Sequence, residues 1–424
     1  MFIEELAAKH LRKFLKIMDR IGLRIYTYRL KLRTKTKKRL SNILFNVVTY
    51  LDLIDWIIEQ IDVRCEVDRD LLRVLTYRTA IENNYEVLQR WKTLDTIPIE
   101  QLRLESINAL KYLDQLPLIK RIALKYSYPE FFVRRLSKFL GTEELIKLLA
   151  TMNTRPKYTW LCVNTARYER DDVISILESE GFMVREDEDF DDVIRVESKP
   201  KRIEKSIAYK RGMFIIADKA SVACTHVLKP QDGDTILDMC AAPGIKLLCT
   251  AFKMNHGRII AVDISKSRMK RLLKITRRYS IPREIRIETH VMDSRRLNRD
   301  IVNNADKIII DAECSSTGLI AKSPDVKLRI KRERIKELST LQCQLLLKGL
   351  SLGEGLNTKY IVYSVCSLLP EEGEFVVLHA RNHTRYRVSR LDIASPAYLD
   401  GTGRRFFPHK HGTIGLFVAR FEDI

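Results

Sequence analysis

The chain has 424 residues and a formal net charge of +20, with 75 Lys and Arg against 55 Asp and Glu. At about 150 residues per domain, this length predicts two or three domains. The hydrophobic fraction of 45% excludes a wholly disordered chain. The basic excess favours a polyanionic partner, most simply nucleic acid, with an anionic membrane surface as the alternative.

Other whole-chain features narrow the class of protein further. No apolar run approaches the ~18 residues needed to span a bilayer, and the first residues lack the features of an export signal. The eight cysteines are too sparse for a disulfide scaffold and none forms a Cys-x-x-Cys motif. We therefore expect a cytoplasmic protein with free thiols, no bound metal and no membrane partner; no ligand spacing supports a zinc site at His409 and His411.

The first segment, residues 1–118, is predicted to be a helical domain. Apolar residues recur at helical spacing over residues 40–61 and 69–91, and Gly and Pro are nearly absent. Within this segment, residues 29–39 (RLKLRTKTKKR) form a dense basic run. The run is either a solvated helix face or mobile segment, or an arm that follows a phosphate backbone, and both interpretations stay open.

Residues 119–204 are predicted to form a small α+β module. Helical patterns continue at first, and after Pro156 a strand-like TWLCVN precedes a helix that Gly181 closes. Two further strand-like stretches flank an acidic segment, residues 186–192 (EDEDFDD), which we interpret as a solvated hairpin tip.

Residues 205–424 alternate short apolar strands with helical segments, the pattern of a parallel, doubly wound sheet in a Rossmann-like domain. Ligands of such sheets bind beyond the carboxyl ends of the strands. The residues that follow each strand are therefore the candidates for chemistry.

Small residues and carboxylates follow the predicted strands. The first strand leads into a loop of small residues, 240–246, and the second ends at Asp263, nineteen positions beyond Gly244. A dinucleotide-type fold places a carboxylate there against ribose hydroxyls, although Asp263 could equally cap the next helix. The third strand is predicted to end at Asp293 and the fourth at Asp311.

Two cysteines lie close to strand ends, Cys314 shortly after Asp311 and Cys366 at the end of the fifth strand. A lone buried cysteine is usually inert. Two of them, each beside Ser and turn residues, favour thiol chemistry at this edge of the sheet. We interpret the remaining cysteines as core or packing thiols: Cys65, Cys162, Cys224, Cys240, Cys249 and Cys343.

These residues lie in short segments that resemble the NOL1/NOP2/Sun RNA cytosine-5 methyltransferases in order and spacing. The segments are GMFIIADKAS, ILDMCAAPGIK, AVDIS, MDSRRL, DAECSSTG, SPDVK and YSVCSLLPEEGE, and the resemblance covers roughly residues 200–424. The preceding residues resemble the arrangement of bacterial ribosomal RNA methyltransferase B, in which a NusB-like RNA-binding domain precedes a small α+β domain.

The resemblance implies a role for each matched position. Cys366 would add to C6 of the target cytosine, Cys314 would assist release of the product, and Asp311 would hydrogen-bond the base at N3 while bordering the cofactor. Asp263 would contact the ribose of S-adenosylmethionine and Asp293 would lie near its adenine. The rest of the cofactor would be held by the loop Cys240, Ala241, Ala242, Pro243, Gly244, Ile245 and Lys246.

The chemistry of cytosine agrees with those roles. C5 is too weak a nucleophile to accept a methyl group unaided, and adding a thiolate at C6 turns it into an enamine-like carbon. A hydrogen bond or proton at N3 stabilises that adduct, for which Asp311 would need a raised pKa. A paired base cannot be reached, so the target must be single-stranded or flipped out.

The sequence also departs from the family pattern. Ile245 and Leu247 replace the usual Gly and Thr of the cofactor loop, Ala217 replaces Gln, and Gly373 replaces Asn. Glu313 replaces the usual Pro before Cys314, and we expect its carboxylate to disfavour a thiolate at Cys314.

Two alternatives come from other functional classes. DNA cytosine-5 methyltransferases carry their nucleophile in a Pro-Cys dipeptide after the fourth strand, whereas this chain has Glu-Cys there and a second cysteine after the fifth. A non-catalytic RNA-binding or ribosome-assembly factor is the other alternative, kept open by the altered loop. We expect an S-adenosylmethionine-dependent enzyme that acts on ribosomal RNA, with transfer RNA as the next candidate. We also expect a monomer, since nothing in the sequence indicates an obligate dimer.

Overall fold

The computed structural model describes residues 2–61, 67–92, 98–279 and 281–423. The chain divides into two compact units. Unit 1 comprises Met1–Arg155 together with Leu319–Ile330, and unit 2 comprises Pro156–Gly318 and Lys331–Ile424. The three domain boundaries expected from the sequence stay predictions, as does the NusB-like character of the first domain, and Cys65 lies outside the described residues.

Unit 1 is helical, as predicted. Its apolar core is built mainly from the first and third helices, with buried side chains such as Leu11, Phe14 and Leu44. The helices are α1 (Ile3–Leu15), α2 (Leu23–Arg29), α3 (Thr34–Thr49), α4 (Leu51–Gln60), α5 (Arg69–Thr76), α6 (Tyr85–Lys92), α7 (Ile99–Tyr112), α8 (Leu118–Tyr126), α9 (Glu130–Leu136) and α10 (Thr142–Met152).

The two stretches with helical spacing are each interrupted in the structure. The pattern over 40–61 is divided at Tyr50 between α3 and α4, which meet at 69°. The pattern over 69–91 breaks after a π-helical turn at Tyr77–Ile81, where Asn83 adopts a left-handed conformation (φ 53°). Among the described helices no single one is long and apolar enough to cross a bilayer, and only the bent pair α3 and α4 passes that test by length and composition.

The basic run at 29–39 spans the end of α2 and the first turns of α3. Lys31, Arg33, Lys35, Lys38 and Arg39 are exposed. Part of the run is therefore an ordered helix face, and its role as a phosphate-binding arm stays a prediction.

The segment Leu319–Ile330, which includes the SPDVK motif, belongs to unit 1 although its neighbours in sequence belong to unit 2. Lys327 is only 3% exposed. Its ammonium donates to the carbonyl oxygens of Thr49 and Tyr126, both at 2.9 Å, and to Asn153 Oδ1 at 2.6 Å. These bonds fasten the segment to three separate parts of the helical unit.

Residues 119–155 of the predicted small module belong to unit 1, whereas a small α+β module of the predicted kind lies in unit 2. Its sheet has the order β2-β3-β1-β4 and all of its strands pair antiparallel. A helix, α11 (Arg170–Ser179), packs on this sheet and is followed by Gly181 in a left-handed conformation (φ 81°). The strands are β1 (Thr159–Val163), β2 (Met183–Glu186), β3 (Val193–Ser198) and β4 (Phe214–Ile216).

The acidic segment 186–192 joins the antiparallel strands β2 and β3, as the predicted hairpin tip would, but it is only partly solvated, since Phe190 and Asp192 are buried. Asp187 and Asp189 both bind the ammonium of Lys219, at 2.6 and 2.5 Å. Asp192 is 1% exposed and binds His226 Nε2 at 2.6 Å and the Lys253 ammonium. Burial alone would raise the pKa of Asp192, but these two partners lower it to about 2.

A second, larger sheet dominates unit 2. Five parallel strands have the order β9-β8-β5-β6-β7, and antiparallel β10, β11, β12 and β13 extend the β9 side. The strands are β5 (Thr235–Asp238), β6 (Gly257–Asp263), β7 (Ile285–Val291), β8 (Lys307–Asp311), β9 (Tyr360–Val365), β10 (Arg387–Val388), β11 (Ser395–Pro396), β12 (Arg404–Phe406) and β13 (Leu416–Glu422). The predicted Rossmann-like fold is confirmed.

Helices flank this sheet, and its apolar core includes Leu237, Ile260, Ile308 and Tyr363. Besides α11, the helices of unit 2 are α12 (Ile207–Lys210), which packs with the small sheet, α13 (Lys219–Leu228), α14 (Ile245–Ala251), α15 (Lys266–Thr276), α16 (Arg332–Leu356), α17 (Glu374–Arg381) and α18 (Pro408–His411). The strand order changes direction at β5, which has β6 on one side and β8 on the other. A ligand crevice is expected at the carboxyl end of that switch point.

Candidate active site

The two predicted thiols lie together at the carboxyl edge of the large sheet. Strands β8 and β9 are parallel neighbours, so the segments that follow them leave the sheet side by side. Cys314 lies three residues beyond β8 and Cys366 one residue beyond β9, and their sulfur atoms are 3.2 Å apart. The structure thus joins two cysteines that are 52 positions apart in the sequence.

The surroundings of the two thiols shift their pKa values in opposite directions. A hydrogen bond from the Cys314 thiol lowers the pKa of Cys366, and Lys246 lowers it further against the effects of burial and of Asp311. The same bond and burial raise the pKa of Cys314 well above its usual value. This arrangement makes Cys366 the more readily ionised of the two thiols and keeps the proton on Cys314.

Asp311, the last residue of β8, lies beside the thiols. Its Oδ2 atom is 2.7 Å from Lys246 Nζ and its Oδ1 atom accepts a hydrogen bond from Ser364 Oγ at 2.9 Å. Lys246 belongs to the first turn of α14, at the end of the small-residue loop. Burial lowers the pKa of Lys246, but the Asp311 carboxylate outweighs it and holds that pKa above its usual value, so the lysine stays charged.

A buried carboxylate that was not predicted from the sequence connects the two cysteine segments. Glu372 is 0% exposed and accepts hydrogen bonds from the Ser315 amide at 2.7 Å, from the hydroxyls of Ser315 and Ser367, and from Gln342 Nε2 at 3.1 Å. Ser315 follows Cys314 and Ser367 follows Cys366. The residues that follow the two thiols, Ser315 and Ser367, are therefore held by one carboxylate, that of Glu372.

A second buried group supports the turn after Cys366. Arg405, on β12, pairs with both carboxylate oxygens of Glu374 at 2.7 and 2.6 Å. The same guanidinium donates to the carbonyl oxygens of Ser367 at 2.8 Å and Leu369 at 3.2 Å. The only sequence signal for Glu372 and Glu374 was their place in the YSVCSLLPEEGE segment.

Glu313 does not act as expected from its position before Cys314. Its side chain is 56% exposed and its carboxylate lies 3.3 Å from Arg334 Nη2. The carboxylate that raises the pKa of Cys314 is Glu372. The replacement of Pro by Glu at position 313 therefore leaves a surface ion pair and does not set the ionisation of the thiol.

The small-residue loop after β5 is held by two buried aspartates. Asp263 is 3% exposed and accepts hydrogen bonds from the amides of Ala242 at 3.1 Å and Ser265 at 2.8 Å. Asp238, which was not predicted from the sequence, ends β5 and accepts from the Cys240 amide at 3.2 Å. Burial raises the pKa of Asp238 to about 7.

The loop then turns into α14 at Gly244, whose φ of +102° is unfavourable for a residue with a side chain. A Cβ atom at this position would also lie 3.0 Å from Leu272 Cγ. The remaining loop residues, Ala241, Ala242, Pro243 and Ile245, line the same turn, and Cys240 packs against the core of the large sheet, as predicted for a packing thiol.

The edge beside Asp263 exposes apolar side chains. Ile264, which follows Asp263, is 66% exposed, and Val291, which pairs with Asp263 at the end of β7, is 49% exposed. Asp293 lies two residues beyond β7 and not at its end, and its carboxylate binds the Arg295 guanidinium at 2.6 Å. Apolar platforms flanked by carboxylates suit a nucleoside, whose base is flat and whose ribose offers hydroxyl donors.

A group of donor atoms at Asp191, Asp192 and His226 lies within 4.8 Å. The Lys253 ammonium binds Asp192 and lies 2.9 Å from His226 Nε2. These donor atoms therefore already have a cationic partner within the chain, the Lys253 ammonium.

Comparison with known proteins finds matches to two parts of the chain. Residues 225–422 match the family described as 16S rRNA methyltransferase RsmB/F, and residues 128–202 match the RsmF/B-like ferredoxin-like domain. A 28S rRNA (cytosine-C(5))-methyltransferase of Mus musculus is 31% identical over 349 residues, which are 76% of this chain and 42% of the mouse protein. The ribosomal RNA small subunit methyltransferase B of Escherichia coli O1:K1 is 27% identical over 70% of this chain and 66% of its own length. The chain thus spans less than two thirds of the curated relatives that it matches.

Solved structures resemble the chain over more of its length. The crystal structure of PH0851 is 28% identical, covers 93% of this chain and 91% of its own, and has a TM-score of 0.72. A methyltransferase homolog protein from Pyrococcus horikoshii is 26% identical over 73% of this chain and 100% of its own, with a TM-score of 0.64.

Proposed function

We propose that this chain, which belongs to the NOL1/NOP2/Sun family, is an RNA cytosine-5 methyltransferase that uses S-adenosylmethionine. The observation that carries the proposal is the pair of sulfur atoms 3.2 Å apart beside the Asp311–Lys246 ion pair. Two thiols with opposed pKa shifts suit a reaction that needs one nucleophile and one proton donor. A binding-only protein has no use for such a pair.

Cys366 is the proposed nucleophile. Its thiolate adds to C6 of the target cytosine, and the electron pair of the C5–C6 double bond shifts toward N3. N3 takes up a proton from solvent, and the Asp311 carboxylate, which is ion-paired with the charged Lys246, accepts a hydrogen bond from the N3–H group. C5 is thereby made nucleophilic enough for methyl transfer.

Cys314 is assigned to the release step. The proton on C5 leaves to water, the electron pair of the broken C5–H bond re-forms the C5–C6 double bond, the bond from C6 to Cys366 breaks, and N3 gives its proton back to solvent. The departing sulfur leaves as a thiolate, and the Cys314 thiol, 3.2 Å away in the free protein, can stabilise it by the same hydrogen bond. A raised pKa suits this role because Cys314 then keeps its proton.

The residues beside β5, β6 and β7 fit a bound S-adenosylmethionine. Asp263 would hold the ribose, the apolar Ile264 and Val291 with Asp293 would accommodate the adenine, and the loop 240–246 would hold the remainder. When bound, this cofactor supplies a methyl group on a positively charged sulfur. Ribosomal RNA is the favoured substrate because the mouse and E. coli relatives are ribosomal RNA methyltransferases by name.

The proposal is tested by incubating the protein with RNA and labelled S-adenosylmethionine and then measuring 5-methylcytidine in the digest. We expect product with the native chain, none with Cys366→Ala, and a covalent protein–RNA adduct with Cys314→Ala that survives denaturing electrophoresis. An adduct formed by Cys366→Ala would reverse the two roles. Absence of calorimetric heat with S-adenosylhomocysteine would favour the non-catalytic alternative.

A further inference from the structure

The segment that begins with α15 has an unusual charge. Residues 266–278 (KSRMKRLLKITRR) contain seven Lys or Arg and no Asp or Glu. The proposed methylation chemistry uses none of these side chains.

Packing turns most of this charge toward solvent. Met269 and Leu272 are 2% and 0% exposed and anchor the helix, which lies against β6 and β7. The opposite side is exposed at five basic positions, which we call the α15 basic face: Lys266, Lys270, Arg271, Lys274 and Arg277. Successive charges at four-residue spacing are about 6 Å apart along the helix.

The basic face has no carboxylate partners within the part of the chain that the structure describes. By contrast, the two other cations of the segment are engaged. Arg268 binds the Ala242 carbonyl, and Arg278 lies 3.8 Å from the centre of the Tyr209 ring and donates to the Tyr209 carbonyl at 3.2 Å. Two arginines of the segment therefore make contacts within the protein, whereas the five side chains of the basic face are exposed to solvent.

Stability alone does not account for such a face. Like charges four residues apart destabilise a helix by a few tenths of a kcal/mol, whereas interleaved acids would stabilise it. Unpaired cations in a row suit a polyanion, since each phosphate that they neutralise releases a counterion. The face begins three residues after Asp263, at the same carboxyl edge of the sheet as the two thiols.

We propose that the α15 basic face binds the phosphate backbone of the RNA substrate. The identity of that RNA as substrate rests on the proposed function, but the binding itself does not. Unit 2 therefore carries its own RNA-binding surface, separate from the basic run at 29–39 in unit 1.

The test uses the full chain, a fluorescein-labelled 30-nucleotide single-stranded RNA and a titration of affinity against salt. In the test variant all five residues of the basic face become Gln. A control variant changes five ion-paired surface residues to Gln and lowers the net charge equally: Arg134, Lys147, Arg185, Arg286 and Arg385. A second control exchanges Lys and Arg within the basic face and keeps its charge.

The expected result is a weaker affinity and a shallower salt dependence in the test variant alone. For single-stranded RNA the slope of log K against log salt should fall by about 0.7 for each phosphate contact that is lost. The charge-exchanged variant should keep the native slope. Native circular dichroism and S-adenosylhomocysteine affinity should show that the fold and the cofactor site are intact.

The proposal would be overturned if the test variant and the ion-paired variant lost RNA affinity equally, or if neither lost any. It would also be overturned if the test variant kept native RNA affinity but no longer bound vesicles that contain 30% phosphatidylserine. Failure of the proposed function is a separate result, because RNA bound by the basic face without formation of 5-methylcytidine would leave the interface standing.

Discussion

The difference in pKa between the Cys314 and Cys366 thiols depends mainly on one hydrogen bond. When Cys366 is ionised, the Cys314 thiol donates to it, and this bond is the largest cause of the lowered pKa of Cys366 and of the raised pKa of Cys314. The pair therefore titrates as a unit, and removing one sulfur should change the ionisation of the other.

We predict that Cys366 is alkylated by iodoacetamide with a pH midpoint below the value of about 8.5 for a free thiol. The reactive thiolate is fully present above the pKa and is lost as the pH falls through it. In Cys314→Ala the midpoint should rise, because burial and Asp311 then act on Cys366 without the donor. Peptide mass spectrometry over a pH series measures both midpoints.

Cys343 provides an internal control for this measurement. Burial raises the pKa of its thiol, so its midpoint should lie above that of Cys366 and should not move in Cys314→Ala. A Cys366 midpoint that is the same in both proteins would contradict the assignment of the donor.

At this scale the sequence predicts several residues at or just beyond strand ends, although it misses Asp238 at the end of β5. It also misses the residues that connect segments. Cys366 and Asp311 could be identified because the carboxyl ends of parallel strands carry the ligand site. Glu372 and Asp192 could not, because their hydrogen-bond partners lie far away in sequence and acidic runs have the composition of solvated turns. Only the three-dimensional pairing shows that both carboxylates are buried.

The cofactor loop depends on a single backbone conformation. Gly244 has a φ of +102°, which costs a residue with a side chain about 1–2 kcal/mol. Gly244→Ala adds a contact of 3.0 Å with Leu272, whereas a Cβ atom added at Gly401, which has a φ of +71°, would have no neighbour within 4 Å. A side chain would therefore be strained by the backbone conformation at both glycines, but only at Gly244 would it also press against Leu272.

We predict that Gly244→Ala lowers the melting temperature more than Gly401→Ala does and weakens S-adenosylhomocysteine binding, since the loop must shift away from Leu272. Gly401→Ala should keep native affinity. Scanning fluorimetry and calorimetry measure the two effects. Equal melting temperatures together with native affinity in Gly244→Ala would show that the loop does not hold the cofactor.

Element ends were harder to predict than element types. The third strand was expected to reach Asp293 but ends at Val291, because its partner β6 ends at Asp263 and the ladder cannot continue beyond it. The helical pattern of 69–91 likewise hides the break at Asn83, since apolar spacing continues on both sides of a left-handed residue. Hydrophobic pattern indicates which face is buried and carries no information on where a partner strand stops.

At the scale of the whole chain, unit 1 is discontinuous. Its helices come from the first 155 residues, but Leu319–Ile330 returns to them from the connection between β8 and α16. Sequence pattern could not predict this, because the partners of Lys327 lie 174 to 278 positions away. The segment is short and mixes apolar with charged residues, so its composition does not indicate which unit it joins.

We predict that Lys327→Met lowers the free energy of unfolding of unit 1 by about 3 kcal/mol, because three buried oxygens would lose their donor. Lys147, which is 61% exposed in a surface ion pair, is the control, and Lys147→Met should change stability by less than about 0.5 kcal/mol. A Trp160→Phe background leaves Trp56 and Trp91, both in unit 1, as the fluorescent reporters of urea unfolding. If Lys327→Met left that transition where it is in the background protein, the returning segment would add nothing to the stability of the helices and unit 1 would be complete without it.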